Sequence, residues 1–429
     1  WEVSGHPSNG RLRAGEPWDL RVTKGLGPKG YGKVRISVVA PELLSLPDFD
    51  FTYRSRFRHR WTDNFLHSRL LDLSPGANEL TIGGQRVVVD LPAEDAGVRG
   101  VVWSDPCVSS KWVRCAYGER FRTFERGHEM LNAAFQDASM DFFAILGDNF
   151  YDQTGELTKT FFSRLSPDVK RRFFLAVNGN HDNWVCGSPG CGDRHDQFGQ
   201  GQMQYYAMDV AASARPPQDD ARFLSFAVDP DARRNWSSFQ NEASNLLAYH
   251  KLGNLGFLAF SGAATFAENE PHFREACAYF ARARPAAVFL LGHWNVRGDG
   301  CPGIATPAVR EELLKIPGCA AFGERLKYMD GHAHCNYVQA RGASSPFGFM
   351  IGGHGMDDED CGAQYGFLYV DSTGGRVALH YFEVASDKRG DRYDQIVGCV
   401  RSRGGLHACT HLAETWLDEP ARGGGEITV

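Results

Sequence analysis

Polar side chains with oxygen and nitrogen donor atoms follow several apolar stretches of this 429-residue chain. The stretches FFAILGD, FFLAVNGNHD, VFLLGHW and YMDGHAH each run into a glycine and then a polar residue, as does the earlier stretch GVVWSD, although it lacks the glycine. In chain order the donors are Asp105, Asp148, Tyr151, Asn180, His181, His293, His332 and His334. Buried strands that end in loops have this pattern, and in open α/β sheets ligands bind at that end. The pattern predicts a metal site built from loops on one edge of a sheet.

The types of donor indicate which ions would bind. A carboxylate such as Asp148 can bridge two cations, and two metals about 3.5–4 Å apart can clamp the oxygens of an in-line phosphoryl displacement. His332 and His334 are two residues apart in an extended segment, so their imidazoles lie on one face. The amide of Asn180 suits a divalent ion, whereas the phenol of Tyr151, with an ordinary pKa of about 10, requires a strong Lewis acid. We therefore expect a trivalent ion, with iron as the obvious candidate, beside a divalent one.

Each donor also has an ordinary structural explanation. A single aspartate after a strand is commonly a turn or helix-cap residue, and this explanation is preferred for Asp152 and Asp182. A single tyrosine or histidine in such a position is more often a packing residue. The order and co-occurrence of the donors favour a shared metal site over eight separate explanations.

The composition is that of a soluble globular protein with more than one domain, because 42% of the residues are hydrophobic and 23% are charged. The net charge of −6 offers no basic excess for the phosphates of a nucleic acid, so no nucleic-acid partner is expected. No apolar run is long enough for a transmembrane segment. No signal peptide is recognisable, and a mature chain would look the same.

The 11 cysteines and one sequon, Asn235-Trp236-Ser237, favour a secreted, extracellular glycoprotein. No C-x-x-C pair occurs, which argues against a structural zinc site. The odd cysteine count leaves one thiol free or bonded to another chain, so a homo-oligomer or a disulfide-linked partner is a further hypothesis. Three local pairs are candidate disulfides: Cys107 with Cys115, Cys186 with Cys191, and Cys399 with Cys409.

Periodicity divides the chain into three regions. Residues 1–92 contain short strand-like runs separated by turn residues, which predicts an all-β, sandwich-like domain. In residues 100–385 strands alternate with helices, which indicates an α/β domain. Residues 386–429 are polar and glycine-rich and predict an irregular C-terminal tail. Helices are predicted at Glu119–Ala138, Leu157–Arg172, Pro271–Ala283 and Thr306–Ile316, and a functional or disordered insert at Asn183–Ser238.

The motifs G-D-N-F-Y, G-N-H-D, G-H-W and G-H-A-H, in this order, closely resemble those of the calcineurin-like metallophosphoesterases. Within that superfamily they resemble the purple acid phosphatases, especially the short tartrate-resistant type, because the tyrosine of G-D-x-x-Y is diagnostic of that subgroup. The resemblance covers about residues 100–384. It implies an α-β-β-α fold, in which a β-sandwich is flanked by helices, and larger members place a further sandwich domain before it.

The resemblance also implies a role for each donor. A metal-bound hydroxide would hydrolyse phosphate monoesters at acid pH, and His181 would protonate the leaving group or stabilise the phosphoryl oxygens. His354 is a candidate pocket residue, although loop packing is its preferred explanation. Fe(III) would be held by Asp105, Asp148, Tyr151 and His334, and a divalent iron, zinc or manganese by the bridging Asp148 with Asn180, His293 and His332.

The first motif departs from the family pattern. The family has D-x-G, whereas this chain has Asp105-Pro106-Cys107, and the glycine lets the backbone approach the metals. Cys107 either adds bulk there or is bonded in a disulfide. Two alternatives are therefore kept: a phosphodiesterase or nucleotidase with the same site, and a non-catalytic extracellular structural or binding protein that retains the phosphatase fold. Retention of all eight donors argues against the second.

Overall fold

The structure is a computed structural model, which describes residues 19–24, 30–40, 44–51, 53–59, 62–109, 111, 113–152, 156–182, 247–298, 301, 303–352 and 361–418. Its strands are β1 Asp19–Thr23, β2 Lys33–Ala40, β3 Tyr53–His59, β4 Thr62–Asp72, β5 Gly76–Ile82, β6 Gln85–Leu91, β7 Arg99–Trp103, β8 Phe142–Ile145, β9 Phe173–Ala176, β10 Leu247–Leu252, β11 Leu255–Phe260, β12 Ala287–Leu291, β13 Leu326–Asp330, β14 Tyr337–Arg341, β15 Pro346–Met350, β16 Gln364–Asp371, β17 Ala378–Ser386, β18 Gly390–Asp391 and β19 Glu414–Leu417. Its helices are Gly118–Phe121, Thr123–Ala134, Glu156–Ser163, Pro167–Lys170, Phe266–Ala283, Thr306–Leu313, Pro317–Ala320 and Tyr393–Arg403, with 3₁₀ segments at Gly323–Arg325 and Leu406–Leu412.

Two large sheets form the centre of the fold. The first runs in the order β18-β17-β16-β7-β8-β9-β1-β2-β4-β3, with β19 added against β17. The second runs in the order β10-β11-β12-β13-β15-β14. Strands β7, β8 and β9 are parallel to one another, as are β11, β12, β13 and β15. The carboxyl ends of the parallel strands therefore lie together at one edge of each sheet.

Alternating side chains place these strands between two apolar layers. Val102 of β7 lies in a cluster with Phe257 of the second sheet, so the two sheets pack face to face. Its neighbour Val101 points to the opposite face and lies in a cluster with Leu131 and Phe161, which belong to flanking helices. Burial on both faces explains why β8 and β9 have uninterrupted apolar sequences.

The outer face of the second sheet is covered in the same way. Leu258 of β11 and Leu290 of β12 lie in a third cluster with Phe273 and Phe280 of the helix Phe266–Ala283. The layers are therefore helix, sheet, sheet and helix, which confirms the predicted α/β class and its α-β-β-α arrangement.

Strands from the first 92 residues extend the first sheet. β1 pairs with β2 in antiparallel fashion and contacts β9 in parallel fashion, with Val22 opposite Phe173. β5 and β6 form a separate two-stranded sheet. An all-β domain that precedes the α/β domain is therefore not confirmed, and the boundaries of the three regions stay predictions. Short alternating strands have the same sequence pattern whether they form their own sandwich or extend a neighbouring sheet.

The described part of the C-terminal region is more regular than its composition predicts. The helix Tyr393–Arg403 buries Ile396 and Val400 in the cluster that covers the first sheet. Strand β19 then pairs with β17. The described residues 386–418 therefore contain a helix and a strand that pack on the first sheet, although their composition is polar and glycine-rich.

The predicted helices are present with different bounds. The segment predicted at Glu119–Ala138 is divided at Arg122, whose φ of 51° is left-handed. The segment predicted at Leu157–Arg172 is divided before Ser166, whose side chain caps the second helix. The helix predicted to begin at Pro271 begins five residues earlier, at Phe266, because Thr265 forms a capping box with Glu268.

Four disulfides lie among the described residues. Cys107–Cys115 and Cys399–Cys409 confirm two of the predicted pairs, and Cys277–Cys319 and Cys335–Cys361 join residues far apart in sequence. Cys301 is free and buried. These bonds are compatible with a secreted protein. The predicted Cys186–Cys191 pair, the sequon at Asn235 and the insert Asn183–Ser238 lie outside the described residues.

Among the helices that the structure describes, none combines the length and the apolar character needed to cross a membrane.

Candidate metal centre

Five parallel strands of the two sheets end around one cluster of candidate donors. The backbone couples the strand ends, since Asp105 N–H donates to Gly147 O at 3.2 Å and Gly331 N–H donates to His293 O at 2.9 Å. All eight expected donors are within this cluster: Asp105 follows β7, Asp148 and Tyr151 follow β8, Asn180 and His181 follow β9, His293 follows β12, and His332 and His334 follow β13.

One half of the cluster, here called the asparagine group, consists of Asn180, His293 and His332. The Asn180 Oδ1 atom lies 3.0 Å from His293 Nε2 and 3.1 Å from His332 Nδ1. The other ring nitrogen of His293, Nδ1, lies 2.8 Å from the carbonyl oxygen of Leu146 and donates to it. This hydrogen bond orients the ring so that Nε2 faces the cluster, as expected of a histidine that ligates a metal.

The other half, here called the tyrosine group, consists of Asp105, Tyr151 and His334. The Tyr151 hydroxyl lies 3.2 Å from Asp105 Oδ1 and 3.1 Å from His334 Nε2. Asp105 Oδ1 and His334 Nε2 are 3.6 Å apart. Asp105 and Tyr151 are buried, whereas the His334 side chain is 18% exposed. Three donors of different chemical types therefore converge on one point near the surface.

Asp148 lies between the two groups. Its Oδ1 atom is 3.4 Å from His293 Nε2 and accepts a hydrogen bond from the backbone N–H of His181 at 2.9 Å. Asp105, Asp148 and His293 each place one donor atom within 4.8 Å of the others, and all three are buried. Asp148 therefore lies close to donors of both groups.

The charges in the cluster favour bound cations. Burial would raise the pKa of Asp148, but the imidazoles of His293 and His181 outweigh burial and lower the pKa below its usual value. Burial would lower the pKa of His293, but Asp148 and Asp105 raise it to about 10. Burial and the same two carboxylates raise the pKa of Tyr151 well above its ordinary range. Two buried carboxylates require positive charge nearby, and carboxylate, amide, phenol and imidazole donors together suit one or two metal ions.

Backbone conformation also distinguishes the cluster. Among the described residues, eight non-glycine residues have a positive φ, and five of them are candidate donors. Left-handed backbone is unfavourable for residues with a Cβ, and such residues concentrate at functional sites. The five donors and their φ values are Asp105 at 52°, Asp148 at 47°, Tyr151 at 50°, His332 at 70° and His334 at 57°.

Two glycines let the loops approach the carboxylates. A Cβ on Gly179 would lie 2.1 Å from Asp148 Oδ1, and one on Gly331 would lie 2.4 Å from Asp105 Oδ2. Both distances are far inside van der Waals contact. The glycines that precede Asn180 and His332 are therefore required for the close approach of the two groups.

Asp182 has a larger role than the sequence suggests. Its carboxylate accepts hydrogen bonds from the backbone N–H of Gly179 at 2.7 Å, the backbone N–H of Asn149 at 2.8 Å and the Asn149 side-chain amide at 2.8 Å. It is a turn residue as expected, but it also joins the loops that carry Asp148 and Asn180. Asp152 accepts from the backbone N–H of Thr158 at 2.8 Å, which confirms its capping role.

A second residue that sequence reasoning missed is Asp330, at the end of β13. It is fully buried, and burial raises its pKa well above the ordinary range. With its amide turned to donate, Gln339 lies 3.0 and 3.2 Å from the two Asp330 oxygens. The only sequence signal was the position of Asp330 before the G-H-A-H motif. His354, the candidate pocket residue, lies outside the described residues.

Comparisons with known proteins identify the fold. No protein-family model and no curated protein matches the sequence. Among solved structures, a purple acid phosphatase from yellow lupin (Lupinus luteus) seeds matches with a TM-score of 0.52 and 12% identity, over 85% of this chain and 72% of that one. GAP50, the anchor in the inner membrane complex of Plasmodium, matches with a TM-score of 0.35 and 12% identity, over 69% of this chain and 87% of that one. Zinc-complexed Vps29 from Entamoeba histolytica matches with a TM-score of 0.28 and 9% identity, over 67% and 93% respectively.

The likeness to the lupin enzyme extends over most of both chains, and at this sequence identity it is a likeness of fold. The chain therefore has a metallophosphoesterase fold.

Proposed function

We propose that this protein is a dinuclear metal-dependent hydrolase of phosphate monoesters that works best at acid pH. The observation that carries the proposal is the location of Asp148 between two donor groups of different chemistry. Asp105, Asp148, Tyr151 and His334 would hold Fe(III), and Asp148, Asn180, His293 and His332 would hold a divalent iron, zinc or manganese. When bound, the two metals would act as Lewis acids toward the phosphoryl oxygens and lower the pKa of water.

The different donor chemistry of the two groups supports the assignment of the trivalent ion. Burial and two carboxylates raise the pKa of Tyr151, so its phenolate would form only beside a strongly charged cation. The asparagine group offers a neutral amide and two imidazoles, which suit a divalent ion. This difference supports iron(III) on the tyrosine group and a divalent ion on the asparagine group.

His181 is proposed to protonate the leaving oxygen. Its backbone N–H donates to Asp148, and its ring lies against that of Tyr151, with 5.0 Å between the ring centroids. The residue is partly exposed, so its imidazole can reach both a substrate and solvent protons. A positioned histidine acid of this kind contributes about 10²–10⁴-fold to the rate.

The four disulfides support the proposal that the protein works in a secreted, oxidising environment. Phosphate-ester substrates are the proposed partners. A disulfide-linked partner chain would need an accessible thiol, and Cys301 is only 4% exposed.

The test is an assay of metal-loaded protein on an aryl phosphate monoester, an alkyl phosphate monoester and a bis-aryl phosphate diester. We expect turnover of the monoesters, and His181→Ala should reduce alkyl phosphate hydrolysis more than aryl phosphate hydrolysis, because the alkoxide needs the proton more. His411→Ala, at an exposed position, is the control and should behave as the wild type. Metal-replete protein without turnover would refute the proposal, and a preference for the diester would favour the phosphodiesterase alternative.

A further inference from the structure

The Cys107–Cys115 disulfide lies directly against the tyrosine group. The bond joins residues eight positions apart, and Cys107 is two residues after Asp105. Cys107 and Cys115 are buried and share one apolar cluster with Tyr151, on which Val113 also packs. The disulfide therefore forms a wall of the pocket that holds the tyrosine ring.

The same disulfide adjoins a strained turn. Asp105 has a φ of 52°, and the N–H of Cys107 donates to the Asp105 carbonyl at 2.8 Å. The carbonyl of Cys107 in turn accepts a hydrogen bond from the Thr123 hydroxyl at 2.7 Å, at the start of the helix Thr123–Ala134. Cys107 is thus tied to Asp105 on one side, to a helix on another and to Cys115 through the covalent bond. The freedom of Asp105 to leave its left-handed conformation is limited by all three.

We propose that the Cys107–Cys115 disulfide is a positioning element for the tyrosine group, and that metal binding at Asp105, Tyr151 and His334 depends on it. The inference rests on the proposed function. It assigns a role to the residue that replaces glycine in the first motif. Where a glycine lets a turn form freely, Cys107 holds the turn by a covalent bond that also supports the neighbouring tyrosine.

The asparagine group provides an internal reference. Its donors are joined by hydrogen bonds among Asn180, His293, His332 and the Leu146 carbonyl, which come from β8, β9, β12 and β13. One hydrogen bond, from the His332 backbone N–H to Asp105 Oδ2 at 3.1 Å, connects this group to the tyrosine group. Loss of the disulfide should therefore weaken metal binding at the tyrosine group selectively. A merely structural role for the disulfide would lower the folding stability without a preference between the two metals.

The test compares two double variants of the full-length protein. Cys107→Ala/Cys115→Ala removes the proposed positioning element, and Cys399→Ala/Cys409→Ala removes a disulfide of similar loop length, with a sequence separation of 10 instead of 8, in the C-terminal helical segment. Each protein is loaded with iron and zinc and dialysed against a graded chelator series. Metal content per chain, the tyrosinate-to-iron absorption band and the Tm are then measured.

We expect the first variant to lose iron and the absorption band at chelator concentrations at least tenfold lower than the wild type, while it keeps its zinc. The control should keep both metals despite a lower Tm. If the alanine variant does not fold, Cys107→Ala/Cys115→Val restores buried volume without the bond and should show the same selective loss.

Iron retention equal to that of the wild type in a folded variant that lacks the Cys107–Cys115 bond would overturn the inference, as would an equal loss of both metals from that variant. A wild-type protein that binds no metal would refute the proposed function itself, and the inference with it.

Discussion

The tyrosine group and the asparagine group differ in how the fold holds them. Disulfides adjoin the tyrosine group at two places: Cys107–Cys115 packs on Tyr151, and Cys335, which is bonded to Cys361, directly follows His334. Among the described residues, no disulfide-bonded cysteine is directly adjacent in sequence to a donor of the asparagine group. Its three donors are joined by hydrogen bonds, and Asn180 and His293 are buried.

This difference follows from where the donors lie. His293 is completely buried, so close packing and the hydrogen bond of Nδ1 to the Leu146 carbonyl orient its ring. All three donors of the tyrosine group, Asp105, Tyr151 and His334, are left-handed residues, whereas His332 is the one left-handed donor of the asparagine group. A covalent bond limits the conformations of a loop more than a hydrogen bond can. A group with three strained donors therefore requires stronger restraints than a group with one.

Replacement of Asp148 should have the largest effect, because it is the residue that both groups share. Asp148→Asn removes the charge but keeps the size, and we expect turnover to fall by about 10³-fold or more, with loss of both metals. Turnover and metal content of the purified variant are the measurements. Retention of either metal at wild-type affinity would show that this metal does not depend on Asp148. It would contradict a carboxylate that is shared by the two groups.

Tyr151→Phe should separate the two groups. The change removes one hydroxyl from a buried ring, so the packing is kept while one donor of the tyrosine group is lost. We expect the visible absorption band to disappear and iron affinity to fall by about 100-fold, with little change in the divalent ion. The affinity for each metal is measured separately by competition with a chelator. An equal fall for both ions would contradict the assignment of Tyr151 to one group.

Asp182→Asn should have a smaller effect, and mainly on the asparagine group. The carboxylate accepts three hydrogen bonds that join the loops of Asp148 and Asn180, and an amide cannot accept from all three donors. A loss of about tenfold in affinity for the divalent ion is expected. Asp168→Asn, at an exposed carboxylate paired with Arg171, is the matched control and should change neither ion.

Asp418→Asn should change folding stability without changing metal selectivity. Asp418 lies 2.8 Å from the ammonium of Lys327, which is completely buried, and connects the end of β19 to the second sheet. Loss of the carboxylate would leave a buried charge with a weaker partner, at a cost of about 3 kcal/mol in the free energy of unfolding. Urea unfolding and the iron-to-divalent ratio are measured together. A changed ratio would mean that global stability, and not local support, explains the difference between the groups.

The order of the candidate donors, the α/β class and two of the disulfides could be predicted from the sequence alone. These features are local: apolar runs that stop at glycine, donors that follow at fixed positions, and cysteines 8 or 10 residues apart. The spacing of apolar residues in a segment indicates which of its side chains are buried, and glycines and polar residues mark the loops. Both signals depend only on residues that are close together in the sequence.

Which segments far apart in the sequence pack against one another is shown only by the tertiary structure. Asp148 and His293 come from different sheets, and their approach depends on how the sheets pack. The pairing of β1 with β9, the docking of the C-terminal helix and β19, and the Cys335–Cys361 bond across 26 residues share this property. A segment's own sequence shows that it has an apolar face, but the partner that covers this face is selected by the whole fold. The position of Asp148 between two donor groups is therefore a property of the folded chain.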